Sequence, residues 1–213
     1  MDIRNRPCLV VGAGSVGARK AVSLAGCGAR VRVVTQNPPF SGERFENHEN
    51  ICIEIRKYDR ADVCGMHLVF AATDSRELNL EIKKDAENLN ILCNIADAPD
   101  LSDFIVPASV DRGDLVIAVS TSGSSPALAR AVRQELEKQF GPEYAVFLTM
   151  MGSLRKRLLA AGHAPDEHKE VFRALVGENI PDLIRKGNET QINRVLEKIL
   201  GPGFRYDDLV CKE

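Results

Sequence analysis

Pro7-Cys8-Leu9-Val10-Val11-Gly12-Ala13-Gly14-Ser15-Val16-Gly17 decides the fold class of this chain. Residues 7–12 are a short apolar run stopped by glycine, the pattern of a buried strand. From Val16 to about Cys27 the pattern turns helical, with Val16, Val22 and Leu24 as apolar positions and small residues between them. Gly12, Gly14 and Gly17 spell G-x-G-x-x-G. The spacing alone is a weak signal, but here it follows a strand and opens a helix, the context dinucleotide binding requires. Gly12 permits the tight turn, and Gly14 lets a pyrophosphate approach the backbone. Gly17 lets helix and strand pack closely, and the helix N-terminus attracts phosphate. The bland alternative is a glycine-rich turn with no ligand.

Outward from this unit, residues 30–34, 51–55, 68–72 and 91–95 read as four more strands. Residues 75–88 read as a helix with Leu78, Ile82 and Ala86 on one stripe. Strands alternating with helices predict an α/β fold of Rossmann type, a parallel sheet with right-handed crossovers. After residue 100 the pattern changes. Phe104-Ile105-Val106 and residues 115–119 flank the turn-like Asp111-Arg112-Gly113-Asp114, which predicts an antiparallel hairpin. Helical patterns follow at 126–140, 143–160, 167–175, 179–187 and 189–200, with breaks at Gly162–Pro165, Pro181 and Gly201–Gly203. Pro181 suits a first helical turn, and the tail beyond Gly203 is expected to be loosely ordered.

Composition narrows the function classes. The 213 residues carry 28 basic and 30 acidic side chains, a net charge of -2. That balance argues against a protein built mainly to grip nucleic acid or an anionic membrane. No apolar run approaches the roughly 20 residues of a membrane span. The first residues lead straight into a strand, so no signal peptide is expected. Tryptophan is absent and aromatics are 5%, which predicts an aliphatic core. The six cysteines form no C-x-x-C pair and most sit in apolar segments, so they read as buried, reduced thiols of a cytosolic protein. His48, His67, His163 and His168 lack zinc-site spacing, and no fixed metal site is expected.

Three stretches carry candidate chemistry. The second strand runs into Val34-Thr35-Gln36-Asn37-Pro38, without the acid that commonly holds a ribose. Gln36 and Asn37 can hydrogen-bond a ribose hydroxyl, yet neither repels a 2′-phosphate, so this strand leaves NAD and NADP open. Arg30 and Arg32 read as a solvated face, with a role as NADP ligands the alternative. Asp97 follows the fifth strand, where ligands bind in open α/β sheets. A carboxylate there can take a proton while a cofactor takes a hydride; a turn aspartate near proline is the alternative. Ser120-Thr121-Ser122-Gly123-Ser124-Ser125-Pro126 precedes a helix, with Ser125 as N-cap and Pro126 as first residue. Its hydroxyls and amides suit an anionic group such as a substrate carboxylate. A well-capped helix with a flexible approach loop explains the same residues. Arg130 and Arg133, one to two turns in, serve either that anion or the helix surface.

Taken together, these stretches resemble the precorrin-2 dehydrogenase family, which includes the N-terminal part of siroheme synthases. The matching segments are residues 8–20, Ala71-Ala72-Thr73-Asp74, Asn94-Ile95-Ala96-Asp97-Ala98-Pro99, Phe104-Ile105-Val106-Pro107 and residues 118–130. Arg19-Lys20 and the loop ending Ser-Pro-x-Leu-Ala-Arg are more specific than the glycines. The resemblance implies a Rossmann domain over 1–112, a dimerisation segment over 113–145 and a helical domain over 146–213. It implies NAD as cofactor and a tetrapyrrole substrate, precorrin-2, oxidised to sirohydrochlorin; some members also insert ferrous iron. On this chain it places catalysis on Asp97, and cofactor contacts on Ser15, Val16, Gln36, Asn37 and Thr73 besides the glycines. Substrate contacts fall on Asn94 and on Ser120, Thr121, Ser122, Gly123, Ser124 and Ser125. Thr121 stands where some relatives have serine, and Ser122 where a Gly-Gly pair can occur. The methyltransferase part of fused synthases is not expected, since the chain ends at Glu213.

Two further expectations complete the reading. Leu128, Val132, Leu136 and Phe140 form an apolar row at i+4 spacing, which suits a homodimer interface, or packing on the chain's own sheet. NAD is expected over NADP, in a cytoplasmic enzyme. A rival from another class is a dinucleotide-binding sensor without catalysis, which would keep the glycine turn and have no need of Asp97.

Overall fold

The computed structural model turns the five strand-like runs before residue 100 into strands. It describes residues 1–37, 45, 48–161 and 168–210. The expected break at Gly162–Pro165, His163 and Cys211 lie outside the described residues. The chain divides into two compact units, Met1–Val106 and Pro107–Glu213.

In the first unit β1 (Pro7–Val11), β2 (Arg30–Thr35), β3 (Ile51–Ile55), β4 (Leu68–Ala71) and β5 (Leu92–Ile95) form one parallel sheet. Their order is β3-β2-β1-β4-β5. The chain therefore leaves β1 in one direction and returns on its other side at β4. In such sheets the crevice between those two strand ends is where ligands bind. Helices α1 (Ser15–Gly26) and α2 (Arg76–Asn88) connect the strands, and separate apolar clusters contain them.

The buried side of α1 is made of Gly17, Ala18, Ala21, Leu24 and Ala25. Of its expected apolar positions, only Leu24 is buried; Val22 is half-buried and Val16 is exposed. The helix lies so close to the strands that its contact stripe is built from small side chains. On α2, Ile82 and Ala86 are fully buried and Leu78 is half-buried, as its stripe predicts, while Asn79 and Lys83 are buried beside them. Ser75 caps α2 by accepting the Leu78 N–H at 3.2 Å.

The hairpin exists, but its first strand is β6 (Ala108–Arg112), paired antiparallel with β7 (Leu115–Val119). Residues 104–106 are not a strand. Phe104 packs edge-on against Phe70 with centroids 5.4 Å apart, its carbonyl accepts from Asn94 Nδ2 at 2.8 Å, and Pro107 has no N–H to offer a ladder. Arg112 pairs with Leu115, so Gly113 and Asp114 make the turn, with Gly113 at φ 69°.

Helix α3 (Pro126–Gln139) packs across this hairpin. Ser125 caps it and Pro126 sits in its first turn, as the sequence predicts. Arg112 Nε donates to the Phe140 carbonyl at 2.8 Å, tying hairpin to helix end. Among the described residues five helices follow: α4 (Glu143–Ala160), α5 (His168–Gly177), α6 (Ile180–Arg185), α7 (Glu189–Leu200) and α8 (Tyr206–Val210). Their apolar faces close around Met150, Leu154, Leu175, Ile192 and Leu196. Pro181 lies in the first turn of α6.

The tail departs from expectation: α8 is ordered because Leu209 is fully buried in that core and Asn193 Oδ1 accepts the Tyr206 N–H at 2.8 Å. The cysteines depart too. All five described thiols are free, yet only Cys8 and Cys93 are buried; Cys27, Cys52 and Cys64 are exposed. Cys27 ends α1, Cys52 stands on an edge strand and Cys64 follows a single 3₁₀ turn, so apolar neighbours in sequence did not mean burial. Among the described residues no helix is long and apolar enough to cross a membrane.

Candidate active site

The glycine turn shows why each glycine is there. Gly12 has φ 99°, and a Cβ on it would stand 2.3 Å from the Ala72 carbonyl oxygen. A Cβ on Gly17 would stand 1.9 Å from the Gly12 carbonyl oxygen. The fold itself requires both. Gly14 is different: its φ is -65°, open to any residue, and a Cβ there meets nothing within 4 Å. Nothing in the protein demands glycine at 14; something that approaches from outside does. Gly14 is also the N-cap of α1, which begins without a side-chain cap and without an acid in its first turn. The positive end of the helix dipole and its unspent amides are left for an anion. A dinucleotide's pyrophosphate fits that arrangement.

Two cavities adjoin over this turn. One, about 420 Å³, is lined by Gly12–Gly14, by Val34–Asn37 after β2, by Ala72–Ser75 after β4, and by Arg56 and Tyr58. The other, about 360 Å³, is lined by Gly14, Ser15, Val16, Ala72–Asp74, Ala96 and Asp97. They share Gly14 and residues 72–74, so one crevice crosses the carboxyl edge of the sheet from β2 to β5. Gln36 and Asn37 stand at one end and Asp97 at the other.

Most of the expected cofactor residues therefore come together: Gly12, Gly14, Ser15, Val16, Gln36, Asn37 and Thr73 line the crevice, with Gly17 buried beneath. Asp97 is exposed on the turn after β5 and opens into the second cavity. That turn is held by Ser102, whose Oγ accepts the Ile95 N–H at 2.9 Å and lies 3.0 Å from the Ala98 carbonyl. Lys83 Nζ pairs with Asp103 at 2.5 Å, and Asp103 also accepts the Cys93 N–H at 2.8 Å. Asn94 does not join the crevice lining; it is buried and spends its amide on Phe104.

The Ser120–Ser125 loop belongs to the second unit. Thr121 holds its shape: its carbonyl accepts the Ser124 N–H at 2.9 Å, and its Oγ1 accepts the Ser125 N–H at 3.2 Å. Ser120 Oγ accepts the Ser122 N–H at 3.2 Å. Ser122 has φ 51° and Gly123 φ 83°, so the serine adopts the left-handed backbone that glycine takes freely. Ser122, Gly123 and Ser124 are exposed. Arg133 is paired with Glu137, and Arg130 is exposed on α3.

Sequence reasoning missed three residues here. Asn79, on α2, is 1% exposed; its Oδ1 accepts the Thr73 N–H and Oγ1–H, at 3.1 and 2.7 Å, and its Nδ2 donates to the Thr73 carbonyl at 3.0 Å. A polar side chain next to Leu78 and one turn before Ile82 was the available signal. Arg56 and Tyr58 follow β3, and only the adjacency of β3 to β2 brings them to the crevice. Arg56 donates its main-chain N–H to the Thr35 carbonyl at 2.8 Å. Its guanidinium is held by Asp62 and Glu54, which raises its pKa further and lowers that of Asp62. Burial and a 3.0 Å hydrogen bond to Asp85 raise the Tyr58 phenol. Among the described residues no three metal-ligating side chains cluster.

Comparisons with known proteins agree with this geometry. A family model described as NAD(P)-binding matches residues 1–108, and one described as sirohaem biosynthesis protein, central, matches residues 112–139. Siroheme synthase of Methylobacillus flagellatus is 32% identical over 206 residues, covering 94% of this chain and 43% of the relative. Siroheme synthase of Vesicomyosocius okutanii is 31% identical over 184 residues, covering 84% of this chain and 40% of the relative. The chain thus spans about two fifths of the length of these curated relatives. The solved structure of SirC, a precorrin-2 dehydrogenase, superposes with a TM-score of 0.72 at 21% identity, covering 93% of this chain and 96% of that one. With half its length matched by the first model, this chain belongs to that NAD(P)-binding family, and its residues 112–139 are similar to the central segment of a sirohaem-biosynthesis protein.

Proposed function

We propose that this protein is an NAD-dependent dehydrogenase that oxidises precorrin-2 to sirohydrochlorin, with Asp97 as the base. The observation that carries the reading is the second cavity, where the Asp97 carboxylate faces the same space as Gly14, Ser15 and Val16. The similarity to siroheme synthases and to SirC supports the substrate class.

Bound NAD supplies the hydride acceptor. The chain's own residues do the rest. The Gly14 turn and the amide end of α1 hold the pyrophosphate, while Gln36 and Asn37 hydrogen-bond ribose hydroxyls. The Asp97 carboxylate takes the proton that leaves the macrocycle as the hydride departs, which keeps charge from building on the ring. Exposed hydroxyls and amides of Ser122, Gly123 and Ser124 bind the carboxylates around the macrocycle.

Three further parts belong to the proposal. The protein is a cytoplasmic homodimer: Leu128 and Val132 on α3 are 55% and 38% exposed, and Val116 on β7 is 60% exposed. Large apolar side chains left open on adjacent elements suit a partner surface. Ferrous iron is a second substrate, inserted after oxidation as the macrocycle gives up two pyrrole N–H protons, one to Asp97 and one to water. The deciding experiment is incubation with precorrin-2 and NAD, followed by absorbance, with and without ferrous iron. NAD-dependent formation of sirohydrochlorin is expected, converting to sirohaem when iron is added. Unchanged precorrin-2 at saturating NAD would overturn the dehydrogenase reading, and sirohydrochlorin that persists with iron would remove the second step alone.

A further inference from the structure

We infer that Glu54 and Asp62 set the choice of NAD over NADP by occupying Arg56, the cation at the adenosine end of the crevice. The inference deepens the proposed function and rests on its dinucleotide reading.

Arg56 is the residue a 2′-phosphate would be expected to seek. It lines the first cavity together with Gln36 and Asn37, and its main chain is bonded to Thr35, so it stands beside the strand end where a ribose is held. An arginine so placed commonly marks an NADP site, because a guanidinium offers five donors in a fork that fits phosphate. Here all five are taken. Nε donates to Glu54 Oε2 at 2.9 Å, and Nη2 to the same oxygen and to Asp62 Oδ1 at 2.6 Å. Nη1 donates to Asp62 Oδ2 at 2.8 Å and to the Lys57 carbonyl at 3.0 Å.

Asp62 is not a casual surface partner. Asp62 is 4% exposed and also accepts the Asp59 N–H at 2.9 Å, as part of the capping box of the 3₁₀ turn Arg60–Val63. Its position is therefore fixed by the backbone independently of Arg56. Arg32 adds a second cation on the far side, 3.5 Å from Glu54 and 4.0 Å from Asp62, outside the lining of the cavity. A 2′-phosphate entering here would have to displace a carboxylate from Arg56 and then sit beside it. A 2′-hydroxyl requires neither, and Gln36 and Asn37 suffice for it. The sequence shows no acid at the end of β2; the structure supplies acids from the neighbouring strand and turn, acting through the arginine.

The test is calorimetric titration of the full chain with NAD and with NADP, in the parent, in Glu54→Gln and in Glu54→Gln/Asp62→Asn. The parent should bind NAD at least about tenfold more tightly than NADP. Glu54→Gln keeps an amide oxygen as acceptor but removes the negative charge that holds Nε and Nη2, and should tighten NADP about three- to tenfold with NAD affinity unchanged. The double variant should gain more where its melting temperature shows it folded, and the gain should shrink at high salt. A parent that binds both cofactors equally, or a Glu54→Gln ratio equal to the parent's, overturns the inference. A parent that binds neither overturns the dinucleotide reading beneath it.

Discussion

Gly17 lies directly under Gly12: a methyl group on the first would come within 1.9 Å of the carbonyl oxygen of the second. The start of α1 and the end of β1 are thus as close as backbone allows. Two glycines five residues apart share one contact, while a Cβ added to Gly14 between them would meet nothing within 4 Å. One motif therefore contains two kinds of glycine, and substitution should separate them.

Gly17→Ala should lower the melting temperature by about 10 °C or more, since backbone must move to admit the methyl and overpacking costs about 3 kcal/mol at its upper range. Gly14→Asp should hold its melting temperature, because aspartate is the better N-cap by a few tenths of a kcal/mol. The same variant should lose at least about tenfold in NAD affinity, as a carboxylate then occupies the pyrophosphate's place. Calorimetry of folding and of binding on both variants checks the pair; loss of NAD binding in neither would remove the crevice as a cofactor site.

Asp97→Asn should leave folding and NAD affinity unchanged and cut precorrin-2 oxidation by about 10²–10⁴-fold. The side chain is exposed and takes part in none of the hydrogen bonds that hold its turn, which rest on Ser102 and Asp103. Single-turnover absorbance at saturating NAD is the measurement. Turnover at the parent rate would transfer the proton to another group.

Asp103→Asn should weaken the first unit at neutral pH but not in acid. The hydrogen bond from Lys83, and then that from the Cys93 N–H, hold the Asp103 carboxyl below its ordinary range. A carboxyl depressed in the folded state contributes stability that is present above its unfolded pKa of about 3.9 and is lost as pH falls through the folded value. The melting-temperature gap between parent and variant should therefore be full at pH 7 and close below about pH 4. A gap that stays constant over that range would show a packing effect alone.

Leu128→Glu/Val132→Glu should convert a dimer of this chain into a monomer with its helices intact, as read by light scattering and circular dichroism at micromolar concentration. Of the α3 side chains only Ala129 is buried, so the substitutions disturb little within the chain. A parent that is already monomeric would sink the assembly reading.

What could be read from residues follows from how each element is buried. β1 and β4 were legible because both faces are covered and each is an uninterrupted apolar run, whereas β2 and β3 were legible through β-branched residues with charges between them. The strand Ala108–Arg112 was not, because only Val110 among its residues is buried and the more apolar Phe104-Ile105-Val106 stood beside it. The stripe of α2 was legible in Leu78, Ile82 and Ala86, whereas Asn79 and Lys83 on the same buried surface were not, since each is accepted there through a partner off the helix, Thr73 for the one and Asp103 for the other. Arg56 and Tyr58 could not be placed at the crevice without the strand order, because adjacency of β3 to β2 is a property of the assembled sheet. The crevice-lining glycines and Asp97 were legible because their positions follow from strand ends alone.

Asn79 gives the crevice floor its chemical character. Its carboxamide is a peptide group carried on a side chain, and it meets the main chain of Thr73 with donor to carbonyl and acceptor to N–H. The sheet can therefore stop at Ala71 without leaving raw peptide dipoles at the switch point. A ligand crossing residue 73 meets a main-chain N–H already donated to Asn79, so its acceptor groups are steered to the amide end of α1.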